Sequence, residues 1–87
     1  MGDLLYGDFK LKITSLRNPG RDTDRYNATV VSSGQRVSVK FQNNGQKPET
    51  FIGRTAIFNG NDNDIQSDPE QNIDLRRANR NFNNPFV

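Results

Sequence analysis

The chain has 87 residues, a net charge of +2, 31% apolar residues, no cysteine and no histidine. Disulfides, thiolate metal sites and cysteine nucleophiles are excluded, and so is the commonest general base and metal ligand. A chain this short forms one domain at most and buries only about 60–65% of its unfolded surface.

The charge is unevenly spread. Residues 5–58 carry nine Lys and Arg against four Asp and Glu, residues 59–74 carry five carboxylates and no cation, and the last thirteen residues add Arg76, Arg77 and Arg80. A basic body, an acidic joint and a basic tail suit a binding protein, since an anionic partner responds to charge distribution more than to the total.

Residues 4–16 alternate as a strand: Leu5, Phe9, Leu11 and Ile13 on one face, Tyr6, Asp8, Lys10, Lys12 and Thr14 on the other. Gly7 marks a bend or bulge. Asn18-Pro19-Gly20 is turn chemistry, because proline presets φ and glycine admits positive φ. A second strand spans 25–33, with Tyr26, Ala28 and Val30 on one face. Ser33-Gly34 is a tight turn. A third strand spans 35–42, with Val37, Val39 and Phe41 inward and Arg36, Ser38, Lys40 and Gln42 outward. These two strands make a hairpin.

The pairs Asn44-Gly45 and Asn59-Gly60 suit tight turns. Residues 50–58 read as a fourth strand, apolar on both faces and bent at Gly53. Residues 59–66 read as a loop. Asp68-Pro69-Glu70-Gln71 reads as a helix start, with Asp68 as cap and Pro69 in the first turn, so a helix is expected over about 69–80. Residues 81–87 form a polar and aromatic tail. It is either an arm for a neighbouring molecule or a plug that folds Phe82 and Phe86 onto an open barrel end.

The expected fold is therefore mainly β: a small, strongly bent antiparallel sheet or barrel of four to five strands with a short C-terminal helix or arm. The expected domain is 1–80, and the expected buried set is Phe9, Leu11, Ile13, Val30, Val37, Val39, Phe41 and Ile57.

The acidic run Asn61-Asp62-Asn63-Asp64 superficially suggests a calcium loop. Counted from Asp62, position six is Ser67 and position twelve is Ile73, where an EF-hand needs Gly and Glu, so the pattern fails. No metal or other cofactor is expected. The paired carboxylates Asp22/Asp24 and Asp62/Asp64 sit in polar loops with no apolar surroundings in sequence, where acid–base work would need a pocket, and no catalytic motif is present, so the chain does not read as an enzyme.

The polar faces of the strands are more informative. Tyr6, Lys10 and Lys12 project from the first, Arg36 and Lys40 from the third, and Arg54, beside Phe58, from the fourth. A single-stranded nucleic acid needs a positive track for phosphates and flat rings for bases. The bland alternative is that these cations only solvate the sheet and blunt its edges.

In DFKLKIT (8–14) and QRVSVKF (35–41), and in the order strand, hairpin, strand, helix, the chain resembles small single-stranded-DNA-binding proteins, both the compact OB barrel and the ββββα unit of PC4-like proteins. The resemblance is one of layout over residues 5–80. It implies sequence-tolerant binding of single-stranded DNA by a phage- or plasmid-type protein that works as a homo-oligomer or within a larger assembly.

A structural or interaction protein, such as a virion or decoration component or a protein inhibitor, is the other reading. No stretch approaches the roughly 20 apolar residues of a membrane span. Residues 1–6 have no signal-peptide character, and Tyr6 defeats a myristoylation motif. A cytoplasmic location is expected, in the host cytoplasm or the virion if the source is viral.

Overall fold

Alternating β-branched and aromatic residues build five strands in a computed structural model that describes residues 5–20, 24–60, 62–67 and 84–86. They are β1 (Asp8–Leu16), β2 (Arg25–Val30), β3 (Arg36–Lys40), β4 (Thr55–Asn59) and β5 (Asp64–Ser67), with a 3₁₀ turn at Pro48–Thr50. All pairings are antiparallel, in the order β4-β1-β2-β3-β5. The expectation of a small antiparallel β-fold holds. The helix expected over 69–80 lies outside the described residues.

β4 and β5 act as two halves of one bent strand. β4 lies on β1, the chain turns between Asn59 and Asp64, and β5 lies on β3. The turn is tied by Asp62 N–H and Asn63 N–H to Asn59 C=O (3.1 and 2.8 Å). The backbone ahead of β1 then meets this seam: Leu5 N–H donates to Ile65 C=O (2.9 Å) and Gly60 N–H to Gly7 C=O (2.7 Å). The sheet therefore rolls back on itself and shields its edges.

Leu11, Ile13, Tyr26, Ala28, Val30, Val37, Val39, Phe41, Phe51, Phe58 and Ile65 fill the interior. Six of the eight residues expected to be buried are in this set; Phe9 is half-buried against it. Ile57 is the exception, 63% exposed, while Phe58 beside it is fully buried. The whole segment 50–58 is apolar on both faces, so its sequence does not say which face turns inward. Two things decide the face, the turn before the strand and its pairing with β1: Pro48 opens a 3₁₀ turn, which Phe51 N–H closes onto Pro48 C=O (3.0 Å), and Gly53 follows at φ 90°. The strand therefore starts at Thr55, and the register Phe9↔Phe58 and Lys10↔Ile57 sends Ile57 outward.

The segment expected to be a loop at 59–66 contains the first three residues of β5. Only Ile65 in it is apolar, and a strand carrying one core residue has no visible alternation.

Phe41 is the hub of an aromatic cluster. It stacks on Tyr26 (4.6 Å between centroids, 11°) and meets Phe51, Phe58 and Phe86 at 5.2–5.7 Å. Offset and edge-on ring pairs contribute roughly 0.5–1.5 kcal/mol each beyond burial. Phe86 reaches this cluster from the tail, and Asn84 Nδ2 donates to Gln42 C=O (2.7 Å). Of the two readings of the tail, the plug matches what Phe86 does, while Phe82 lies outside the described residues.

Candidate nucleic-acid interface

β1 places Lys10 and Lys12 on its outer side because Leu11 and Ile13 are taken by the core. Register then sets their neighbours. Thr55, Lys12, Thr29 and Arg36 are successive Cα partners across β4, β1, β2 and β3. Lys12 and Arg36 are exposed and face the same way from strands separated by one neighbour. The next row carries Ile57 opposite Lys10, with Val31 N–H bonded to Lys10 C=O (2.9 Å). Ile57 and Val31 are 63% and 52% exposed, so the lysine stands between two apolar side chains. Tyr6, 56% exposed, precedes this strand. Asp8 stands between it and Lys10 and is engaged by Asn59, whose Nδ2 donates to Asp8 Oδ1 (2.8 Å).

The remaining two residues of the expected site are placed elsewhere. Lys40 is half-buried, in a row with Arg25 on one side and Asp64 on the other. Around it the outward side of the sheet is not open: Arg25, Ser38 and Gln66 are buried there, and Arg25 Nη1 donates to Ser38 Oγ (3.2 Å). Arg54 lies just ahead of β4, its guanidinium 4.8 Å above the ring of Phe86. Phe58, which the sequence places beside Arg54 on the polar face, is in the core. The structure thus brings Lys10, Lys12 and Arg36 together and leaves Lys40 and Arg54 apart.

Sequence reasoning missed Arg17. One extra residue sits in β1 between Ile13 and Ser15, so Ile13 pairs with Ala28 but Ser15 pairs with Asn27. This β-bulge flips the parity of the strand. Leu16, an even-numbered residue, joins the odd-numbered Leu11 and Ile13 at the core. Asn27 secures the bulge through three bonds. It accepts from Thr14 Oγ1 at its carbonyl (3.0 Å) and from Arg17 Nη1 at Oδ1 (3.2 Å), and its Nδ2 donates to Ser15 Oγ (2.9 Å). Arg17 is thereby held beside the Lys12–Arg36 row, at a groove of about 280 Å³ that Arg36 also lines. The signal in the sequence was Leu16, an apolar residue out of phase with the alternation before it.

No protein-family model, curated protein or solved structure matches the chain. Among the described residues no helix is long and apolar enough to cross a membrane.

Proposed function

We propose that the chain is a small nucleic-acid-binding protein that takes single-stranded DNA, with little regard to sequence, on the open face of β4, β1, β2 and the start of β3. The observation that carries this reading is the register row Lys12–Thr29–Arg36, with Lys10 one row away. It makes a positive track on an exposed surface, and a strand's phosphates supply the matching charge. Tyr6 offers a ring for stacking, and Val31 and Ile57 offer apolar contact to base faces. Assembly into a dimer or larger oligomer would lengthen the track.

The test is fluorescence anisotropy of a labelled oligo-dT over a salt series, with light scattering on the same samples. Binding should weaken linearly in log affinity against log salt. No binding even at low salt removes the reading.

A second reading is a structural or interaction protein. The exposed pair Val31 and Ile57 favours it, because two apolar side chains flanking one lysine also suit a protein contact. Loss of self-association in Ile57→Ser, with no oligonucleotide binding by the wild type, would select it.

A further inference from the structure

We propose that the groove beside the β1 bulge is a built seat for one phosphate group, either a free phosphate ion or a phosphodiester of a bound strand. In its phosphodiester form the proposal rests on the reading above and names the point where a strand would be anchored.

The groove of about 280 Å³ is lined by Thr14, Ser15, Arg17, Asn27, Thr29 and Arg36 among others, with no carboxylate among the described residues of its wall. A pocket of this size is near the lower end of the range for small-ligand sites, about 300 Å³, and suits one small polar group. Two guanidiniums line the same cavity. Arginine presents its N–H groups in a planar fork that matches phosphate oxygens, and the resulting charge-assisted bonds are about twice as strong as neutral ones.

The donors are available. Arg17 uses Nη1 on Asn27, which leaves the rest of its fork. Arg36 makes no ion pair or side-chain hydrogen bond among the described residues. Ser15 Oγ accepts from Asn27 Nδ2, so its own hydroxyl proton is unspent among the described residues. Thr29 stands directly opposite Arg36 in the register.

The seat is also preorganised. A surface arginine ordinarily loses rotamer entropy when it takes a ligand. Here Asn27 clamps Arg17, and Asn27 is itself clamped by Thr14 and Ser15 across the bulge. Bulges often sit where a side chain must be re-aimed toward a site. Without the extra residue, the side chains beyond Ile13 would change face, and Arg17 would point toward the core side.

The experiment is nitrogen-15 NMR titration of the full chain with inorganic phosphate, with oligo-dT, and with an oligo-dT whose linkages are uncharged methylphosphonates. The groove-specific variants are Arg17→Gln and Ser15→Ala; Lys10→Ser is the control on the open face. Phosphate should shift the Ser15, Asn27 and Thr29 amides and the Arg17 and Arg36 side-chain N–H signals. Arg17→Gln should weaken phosphate binding about tenfold, as removal of a charge-assisted bond would, while Lys10→Ser leaves it unchanged. Oligo-dT should give the same groove shifts, and the methylphosphonate strand should not.

Phosphate shifts in the groove without any oligo-dT binding support a seat for the free ion and remove the strand reading. Oligo-dT binding that shifts the Lys10–Lys12 face but not the groove, and is indifferent to Arg17→Gln, overturns the seat and leaves the strand reading intact. Phosphate that shifts no groove signal, or shifts it equally in a correctly folded Arg17→Gln variant, overturns the seat as well. The spectrum of each variant reports its folding directly, and Ser15→Ala tests the same wall without removing a charge.

Discussion

Gly60 lies so close to Leu5 that a β-carbon at residue 60 would fall on the Leu5 carbonyl oxygen and within 2.8 Å of the Tyr6 Cα. The close approach belongs to the seam that closes the sheet, where Gly60 N–H also bonds to Gly7 C=O. The obstructing atoms are backbone, so no rotamer change relieves the clash. Gly60→Ala should therefore destabilise the fold by about 1–3 kcal/mol, the usual cost of overpacking. Urea denaturation measures it, and an unchanged midpoint would show that the seam does not close as described.

The inward and outward faces of β4 and β3 make a paired prediction. Val39 is fully buried in β3, so Val39→Asp should unfold the domain by placing an unpaired charge in a core with little stability to spare. Ile57→Asp should stay within roughly 0.5 kcal/mol of wild type, because that side chain stands in solvent. Thermal melts followed by circular dichroism compare the two, and equal losses would mean that β4 faces the other way.

Alkaline pH should find Tyr26. Burial pushes its phenol up to about 12, and the carboxylates of Asp24 and Glu49 act in the same direction. An unfolded tyrosine titrates near 10. The folded pKa is the higher one, so the stabilisation is fully present below about pH 10 and is lost as pH rises through about 12. Denaturant midpoints taken across this range should fall, and Tyr26→Phe should flatten the fall. A wild type with constant stability across the window would contradict the burial of this hydroxyl.

The tail contributes to stability through Phe86, which packs 5.4–5.7 Å from Phe41, Phe51 and Phe58 and lies under Arg54. Phe86→Ala should cost about 1–3 kcal/mol, and Arg54→Ala about 0.5–1 kcal/mol through removal of the cation–π interaction. The double variant should cost less than the sum of the two, because each single change already removes that shared interaction. A melting temperature unaffected by Phe86→Ala would return the tail to the role of an arm.

For nucleic acid, Lys12→Ser with Arg36→Ser should flatten the salt slope by about 0.7 for each phosphate no longer neutralised. Tyr6→Ala should lower affinity by a stacking increment, roughly 1–3 kcal/mol, with the slope kept. Arg54→Ser should change neither, since its guanidinium is engaged with the ring of Phe86. Anisotropy titrations at several salt concentrations separate the two signatures, and a slope unchanged in the double variant would mean that the row does not touch phosphate.

Alternation in the sequence determined the inward faces of β1 and β3, because each has one polar and one apolar side and a period of two leaves a single way to bury it. Turn chemistry was equally legible. Asn44 and Gly45 both adopt positive φ (53° and 81°), and Gly34 closes its hairpin with N–H bonded to Val30 C=O (2.8 Å). The outward placement of Lys10, Lys12 and Arg36 followed from the same alternation. It could not say which of them are neighbours.

Tertiary structure decided the rest, for reasons that are not local. The face of β4 depended on a 3₁₀ turn and on pairing with β1, since Ile57 and Phe58 are equally apolar. β5 exists because β3 offers it a ladder, not because its polar sequence prefers a strand. Arg17 reached the groove through one extra residue, which a window of alternation reads as noise. The Lys12–Thr29–Arg36 row and the bulge groove are products of register. Register is set by backbone pairing between segments far apart in the chain, which is why residue pattern alone determined the faces and only the folded sheet determined the site.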